Sequence, residues 1–145
     1  MRISEIMSKD VVKTGPGRSI GEARELMARR HIHHLVVVDG ARVVGVVSDR
    51  DIGKARDTSR TVRDLMVPDV VAARPTTTVR QAANLLRGRT IGCLPVFDGD
   101  HLVGIVTTTD LLDLIGRGAE RTVPESKRWT MRRRAPTRRP ARLDA

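Results

Sequence analysis

The sequence from residue 32 to residue 52, IHHLVVVDGARVVGVVSDRDI, decides how this chain folds, because residues 91–111 repeat it as IGCLPVFDGDHLVGIVTTTDL. The two copies are offset by 59 residues, and the correspondence extends back to Met7 and Met66 without a gap. A segment that recurs at a fixed spacing is an internal repeat. The chain is therefore predicted to contain two copies of one structural unit.

The quoted stretch has the pattern of a β-hairpin followed by a helix. Residues 35–38 and 43–47 are almost entirely apolar and rich in β-branched side chains, which is typical of buried strands. The Asp39-Gly40 dipeptide between them predicts a type I′ turn, in which both central residues have positive φ. Gly45, within the return strand, indicates a bulge or a close approach of another backbone.

A short strand and a helix precede the hairpin in each copy. Val11-Val12 is the predicted strand, and Ser19 with Glu22 has the spacing of a capping box at the start of the first helix. In a capping box, each of the two side chains satisfies the backbone N–H of the other residue. Thr78 and Gln81 repeat the pattern in the second copy.

The element order is therefore β-α-β-β-α in each copy. The sequence SDRD at 48–51 opens the last helix of the first copy, and Gly116 is expected to end that of the second. We predict an α+β fold of two repeats, residues 1–57 and 58–116, packed sheet to sheet about a pseudo-twofold axis. Each repeat alone is near the size at which a core is marginal, so the two are expected to fold as one unit.

Charge separates the repeats from the end of the chain. Residues 1–116 contain 17 Lys and Arg against 14 Asp and Glu, whereas residues 117–145 contain 10 against 3. The latter segment, with its arginine clusters and prolines, is predicted to be a disordered basic tail. The lone cysteine, Cys93, favours a reducing compartment. Together with the lack of a signal peptide or membrane-length apolar run, it predicts a cytoplasmic protein with no membrane contact.

These features together resemble a tandem pair of CBS domains, also called a Bateman module, over about residues 3–115. The matching tokens are DVV before a proline, the helix SIGEARELM, the motif I-x-x-L-[VP]-V, the dipeptide DG and V-G-[VI]-V-[ST]-x-x-D. Their order, spacing and duplication are specific, although each alone is weak. The first repeat departs from the family in having Val36 where the second keeps Pro95.

The resemblance implies a binding site for an adenosine ligand between the repeats. In family members that bind such ligands, the aspartate of the [ST]-x-x-D motif holds the ribose hydroxyls, the Ser or Thr supports the ribose or phosphate, and the backbone around I-x-x-L-P lines the adenine slot. In the first repeat, the resemblance implies that His33 and His34 reach phosphates. The predicted ribose and phosphate residues are Ser48, Asp51, Thr107 and Asp110. The predicted adenine-slot and phosphate residues are Ile32, His33, His34, Leu35, Ile91, Gly92, Cys93 and Leu94.

Each of these assignments has a purely structural alternative. A hydroxyl with an acid three residues later also has the spacing of a capping box, and the histidines could be half-buried side chains at a strand end. Imidazoles also suit zinc or nickel. His31, His33 and His34 nevertheless lie too close in sequence for a single tetrahedral ion, and no metal ligand is assigned.

No catalytic constellation is present in the sequence. The HExxH and GxxxxGK[ST] patterns are absent, and the single cysteine lies in an apolar strand, where a small core residue is expected. The chain is therefore interpreted as a non-catalytic protein that needs no cofactor.

The predicted function is that of a stand-alone regulatory module that binds an adenine nucleotide such as AMP, ADP or ATP, or a related adenosyl compound. Binding would shift the module between two states that a separate regulated protein distinguishes, and a homodimer is expected. The alternative is a ligand-free scaffold protein whose basic tail binds nucleic acid or an acidic partner.

Overall fold

The computed structural model describes residues 1–89 and 91–122. The chain divides into two compact units, Met1–Asp110 and Leu111–Ala145, and every predicted site residue belongs to the first. A short 3-10 helix, Ile3–Glu5, precedes the elements of the first repeat, which are β1 (Lys13–Thr14), α1 (Ile20–Arg30), β2 (His34–Asp39), β3 (Arg42–Ser48) and α2 (Asp49–Gly53). The elements after the first repeat are α3 (Val62–Leu65), α4 (Val79–Arg89), β4 (Cys93–Asp98), β5 (His101–Thr107) and α5 (Thr108–Thr122).

Two small sheets organise the first unit. In the first, β2 lies between β1 and β3, parallel to β1 and antiparallel to β3; in the second, β4 and β5 are antiparallel. Val36 of the first repeat and Cys93 and Ile105 of the second form one buried cluster, where the sheets face each other. The opposite face of the first sheet packs against α1, α2 and α3 through Leu35 and Val37. The predicted α+β fold with paired repeats is confirmed.

The leading segment of each repeat crosses to the other repeat. The Ile3 N–H donates to Thr77 O at 2.9 Å, and the Val62 N–H donates to Arg18 O at 2.8 Å. Single antiparallel bridges continue both crossings, and they link Arg2 with Thr78, Ser8 with Ile105, Ser19 with Thr61, and Val46 with Val67. These contacts come in symmetry-related pairs with the 59-residue offset. The two repeats therefore complete each other's surfaces, as their small size requires.

The prediction of a bulge or a close backbone approach at Gly45 is confirmed on both counts. The ladder between β2 and β3 shifts register next to this glycine. A Cβ at Gly45 would lie 2.7 Å from Met66 Sδ and 2.9 Å from Val67 O. The counterpart Gly104 is held in the same way, with 2.6 Å to Met7 Sδ. Each glycine thus admits the segment that crosses from the other repeat.

The type I′ turn predicted at Asp39-Gly40 is wrong. Asp39 pairs with Arg42 in the ladder, so the two loop residues are Gly40 and Ala41. Gly40 has φ of 64°, and Ala41 is not among the residues with positive φ. A type I′ turn needs positive φ at both central positions, and an alanine disfavours that conformation because of its Cβ.

Three predicted boundaries also differ. The first strand is Lys13–Thr14 and not Val11–Val12, although Val12 O accepts a hydrogen bond from the Val36 N–H at 3.2 Å. Helix α5 continues past Gly116 to Thr122, because a glycine ends a helix only where the chain turns to positive φ, which Gly116 does not. The predicted disordered tail therefore begins inside a helix, and its residues 123–145 lie outside the described part of the chain.

The two predicted capping boxes differ from each other. At α4, the Thr78 N–H donates to Gln81 Oε1 at 2.9 Å and the Gln81 N–H donates to Thr78 Oγ1 at 3.1 Å. At α1, Ser19 Oγ accepts from the Glu22 N–H at 3.1 Å. Glu22 does not return the bond to the backbone, because its carboxylate instead pairs with Arg18 at 3.0 Å. The second box is confirmed and the first is only half formed.

Candidate functional site

The hydroxyl–aspartate pairs form reciprocal capping boxes at the starts of α2 and α5. The Ser48 N–H donates to Asp51 Oδ2 at 3.0 Å, and the Asp51 N–H donates to Ser48 Oγ at 3.1 Å. In the second repeat, the Thr107 N–H donates to Asp110 Oδ2 at 2.8 Å, and the Asp110 N–H donates to Thr107 Oγ1 at 3.2 Å. Both motifs therefore form capping boxes, as the structural alternative predicted.

Each aspartate retains one carboxylate oxygen beyond its capping role. Among the described residues, no hydrogen bond reaches Oδ1 of Asp51 or of Asp110. Both residues are half-buried, and every buried side-chain N or O atom of the described residues has a partner. The Oδ1 atoms therefore face solvent. A carboxylate with a free oxygen can accept hydrogen bonds from hydroxyl groups of a ligand while it caps a helix.

Strand pairing places the I-x-x-L segment of each repeat beside the helix cap. His34 is paired with Ser48, and Cys93 is paired with Thr107. Backbone bonds reinforce both junctions, because the Asp49 N–H donates to the carbonyl of His33 at 2.9 Å, and the equivalent bond in the second repeat measures 3.0 Å. The two motifs predicted to hold one ligand thus lie together in each repeat.

His34 also reaches the second repeat, where its ring packs on Gly92. A Cβ at Gly92 would lie 3.0 Å from His34 Cε1 and would collide with Nε2. Burial lowers the pKa of His34 below the ordinary 6.5, although the nearby carboxylates of Asp49 and Asp51 oppose the shift. The imidazole is therefore neutral at pH 7, with one ring nitrogen that donates a hydrogen bond and one that accepts.

Cys93 is a buried thiol in the contact between the sheets. It is 5% exposed and clusters with Val36 and Ile105. Burial, with a smaller contribution from the negative charge of Asp51, raises the pKa of the Cys93 thiol to about 12. Since a thiol of such high pKa is not a nucleophile at neutral pH, Cys93 can supply only a small, weakly polar surface.

The apolar members of the predicted adenine slot can act only in part through their side chains. Leu35 and Leu94 are fully buried, and Ile32 packs against the core on the helix side of the sheet. Leu35 and Leu94 therefore expose neither side chain nor main chain to a ligand. Ile91 and Gly92 are half-buried.

Asp49 was not predicted as a site residue from the sequence. Its Oδ2 lies 2.7 Å from His33 Nδ1, so the carboxylate orients this predicted phosphate contact. The counterpart of Asp49 in the second repeat is Thr108, and a comparison of the repeats alone therefore treats the position as variable. His33 and Asp49 line a cavity of about 400 Å³ on the helix side, together with Arg24, Met27, Ala28, His31, Ile32 and Ile52.

A second cavity of about 450 Å³ adjoins β1 and α1, with Lys13, Arg18 and Arg29 among its lining residues. Neither cavity includes Asp51 or Asp110. Within residues 1–89 and 91–122, no three His, Cys, Asp or Glu side chains converge as a metal site would require. No helix of the same residues is long and apolar enough to cross a membrane.

The solved structures that are similar to this chain include complexes with adenosine-containing ligands. The CBS domain pair of protein MJ0100, in complex with 5′-methylthioadenosine and S-adenosyl-L-methionine, aligns with a TM-score of 0.76 and 30% identity over 81% of this chain and 98% of that one. The cytosolic domain of the Mg²⁺ channel MgtE, in complex with ATP, aligns with a TM-score of 0.66 and 32% identity over 78% of this chain and 48% of that one.

Comparison of sequences gives the same family. Inosine-5′-monophosphate dehydrogenase of Methanocaldococcus jannaschii is 33% identical over 113 residues, which are 77% of this chain and 23% of that protein. This chain spans about a quarter or less of the first curated relatives that it matches. The family model for the CBS domain matches twice, over residues 3–57 and 62–117. The chain therefore belongs to the CBS-domain family and contains a tandem pair of these domains.

Proposed function

We propose that this protein is a regulatory module that binds an adenosyl ligand, either an adenine nucleotide or a related compound, between its two repeats. The observation that carries the proposal is the pair of aspartates, Asp51 and Asp110, each with one capping oxygen and one free oxygen at the start of a helix. A ribose presents two adjacent hydroxyl groups, and a carboxylate oxygen accepts from hydroxyl donors.

The solved relatives support this ligand class. The MJ0100 pair holds methylthioadenosine and S-adenosylmethionine, and the MgtE domain holds ATP. These ligands share an adenosine group and differ in what is attached to it. The shared group therefore defines the class that we propose for this chain, and the attached group distinguishes AMP, ADP and ATP from thioether and sulfonium compounds.

Regulation follows from how the repeats are joined. Each repeat holds the leading segment of the other, and a ligand between them would favour one relative arrangement. A ligand shifts an equilibrium only through its different affinity for two states. A separate protein would respond to this change. The proposed form of the module itself is a homodimer in the cytoplasm.

Calorimetric titration with AMP, ATP, methylthioadenosine and S-adenosylmethionine tests the proposal. Wild-type protein should bind at least one of the four, and Asp51→Ala combined with Asp110→Ala should abolish binding while the far-UV circular dichroism spectrum is retained. Equal affinity of wild type and double variant would reject the site. Mass spectrometry of small molecules that co-purify would identify the natural ligand.

The rival proposal is a scaffold protein whose basic tail binds nucleic acid. Its support is the excess of 10 basic over 3 acidic residues after position 116, a composition that favours phosphate backbones. A truncated chain, residues 1–118, is compared with the full chain for DNA binding at several salt concentrations. Binding that is unchanged by truncation would eliminate the tail as the cause.

A further inference from the structure

The two hydroxyl–aspartate sites have the same frame but different neighbours. At the position paired with the cap, the first repeat has His34 opposite Ser48, and the second has Cys93 opposite Thr107. The first site therefore has a polar ring beside its aspartate. The second has a thiol that is 5% exposed.

Contacts across the pseudo-twofold axis strengthen this difference. The His34 ring packs on Gly92, and the missing Cβ at that position makes the contact possible. The counterpart of Gly92 in the first repeat is His33, whose ring is instead held by Asp49 at 2.7 Å. A planar side chain thus reaches from the first repeat to the second, and the small Cys93 does not offer an equivalent ring in the opposite direction.

The charge distribution agrees with the geometry. The Asp51 carboxylate influences the pKa of both His34 and Cys93, which lie in different repeats. The carboxylate of Asp110 is not among the groups that shift either one. Asp51, His34 and Cys93 therefore belong to one electrostatic neighbourhood at the contact between the repeats.

We propose that the two sites are unequal and that the pair binds one adenosyl ligand, at the Asp51 site, where His34 determines specificity. This inference rests on the proposed function and deepens it. Asp51 Oδ1 accepts the ribose hydroxyl groups, and the imidazole provides a flat surface with a donor and an acceptor beside them. The Asp110 site keeps the capping box but has Cys93 in place of a ring at the position paired with its cap, and its aspartate contributes less to binding.

Two matched pairs of variants test the inequality. Asp51→Asn and Asp110→Asn are equivalent changes, because each keeps a side-chain oxygen for the cap and removes the charge. His34→Ala and Cys93→Ala remove the two side chains at the same register position. Calorimetric titration with methylthioadenosine, S-adenosylmethionine, AMP and ATP gives the stoichiometry and Kd, and the thermal midpoint of each variant reports its folding.

The expected result is one ligand per chain. Asp51→Asn and His34→Ala should each weaken Kd about tenfold or more, as expected when a hydrogen bond to a charged or ring group is lost. Asp110→Asn and Cys93→Ala should weaken Kd by a clearly smaller factor than their first-repeat counterparts, with a similar fall in thermal midpoint for the two aspartate variants.

Other outcomes separate the inference from the proposed function. Two ligands per chain, or an equal loss of affinity in Asp51→Asn and Asp110→Asn, would overturn the inequality and leave the proposed function standing. Binding that is lost only in Asp110→Asn would overturn the choice of site. A wild-type chain that binds none of the four probes would overturn both.

Discussion

The two repeats differ at two equivalent positions of their hairpins. The first strand of the hairpin begins with His34 in the first repeat and with Cys93 in the second, and two residues later the first repeat has Val36 where the second has Pro95. The backbone frame around these positions is duplicated, from the capping boxes to the glycines that admit the crossing segments. The side chains at the contact between the repeats differ between the two copies. Duplication has therefore preserved what the fold needs and allowed the side chains at the contact between the repeats to diverge.

The difference at Val36 and Pro95 also changes the sheets. The Val36 N–H donates to Val12 O at 3.2 Å, next to the two residue pairs between β1 and β2. Pro95 has no N–H, and the second repeat keeps only one parallel bridge at this place, between Ala73 and Val96. The loss of one donor is consistent with a three-stranded first sheet and a two-stranded second.

The largest expected effect tests what the repeats share. Gly45→Ala and Gly104→Ala should each lower the free energy of unfolding by about 1–3 kcal/mol, as overpacking does. The added Cβ would meet Val67 O at 2.9 Å or Ser8 O at 3.0 Å, and a backbone carbonyl of a crossing segment cannot turn aside as a flexible side chain can. Urea denaturation measures the change.

Gly88→Ala in α4 is the matched control, since nothing lies within 4 Å of its added Cβ. It should raise stability by up to about 1 kcal/mol, the helix preference of alanine over glycine. If Gly45→Ala proved as harmless as Gly88→Ala, the close crossing of segments would be wrong.

The next effect concerns the sheets. Val36→Pro should cost about 1–2 kcal/mol, because it removes the donor to Val12 O from a central strand. The reverse change, Pro95→Val, should alter stability by less than about 1 kcal/mol, since it removes no hydrogen bond. Denaturation of both variants in parallel measures the asymmetry, and equal costs would show that the proline does not limit the second sheet.

The third prediction concerns the charge of His34. Its folded-state pKa is below 6.5, so the unfolded chain binds more protons between these two values, and the His34 contribution to stability falls as pH is lowered through that window. His34→Gln should remove this part of the pH dependence, measured by urea denaturation from pH 7.5 to pH 5. If the free energy of unfolding of the variant depended on pH as steeply as that of the wild type, this pH dependence would come from other groups. The groups whose charge acts on His34 are Asp49, His33, Asp51 and Arg50, and Cys93 is coupled to Asp51 from the second repeat.

The smallest expected effect compares the first helices of the repeats. Gln81→Ala should cost about 0.5–1 kcal/mol, because Gln81 completes a reciprocal capping box. Glu22→Ala should cost about 0.3 kcal/mol or less, since it loses an exposed ion pair with Arg18 and a long, exposed hydrogen bond from Ser19 Oγ at 3.4 Å. Thermal unfolding of the two variants gives the comparison, and a larger loss for Glu22→Ala would mean that the box at α1 forms in solution.

Local patterns in the sequence predicted several features that the structure has. The duplicated hairpins, the cap at Thr78 and Gln81 and the special role of Gly45 all follow from short-range rules of hydrogen bonding and steric fit. The turn at Gly40 and the end of α5 were predicted wrongly. In both cases the backbone conformation depends on neighbouring residues as well as on the glycine itself.

The sequence by itself determined that there are two repeats, what elements they contain and which aspartates start their last helices, because periodicity and capping act within a few residues. Only the tertiary structure decided that leading segments cross between repeats, that Asp49 holds His33 and that the His34 ring rests on Gly92. These contacts join residues far apart along the chain, and no local pattern encodes them. The inequality that we propose for the two sites depends on these contacts, where the two repeats meet.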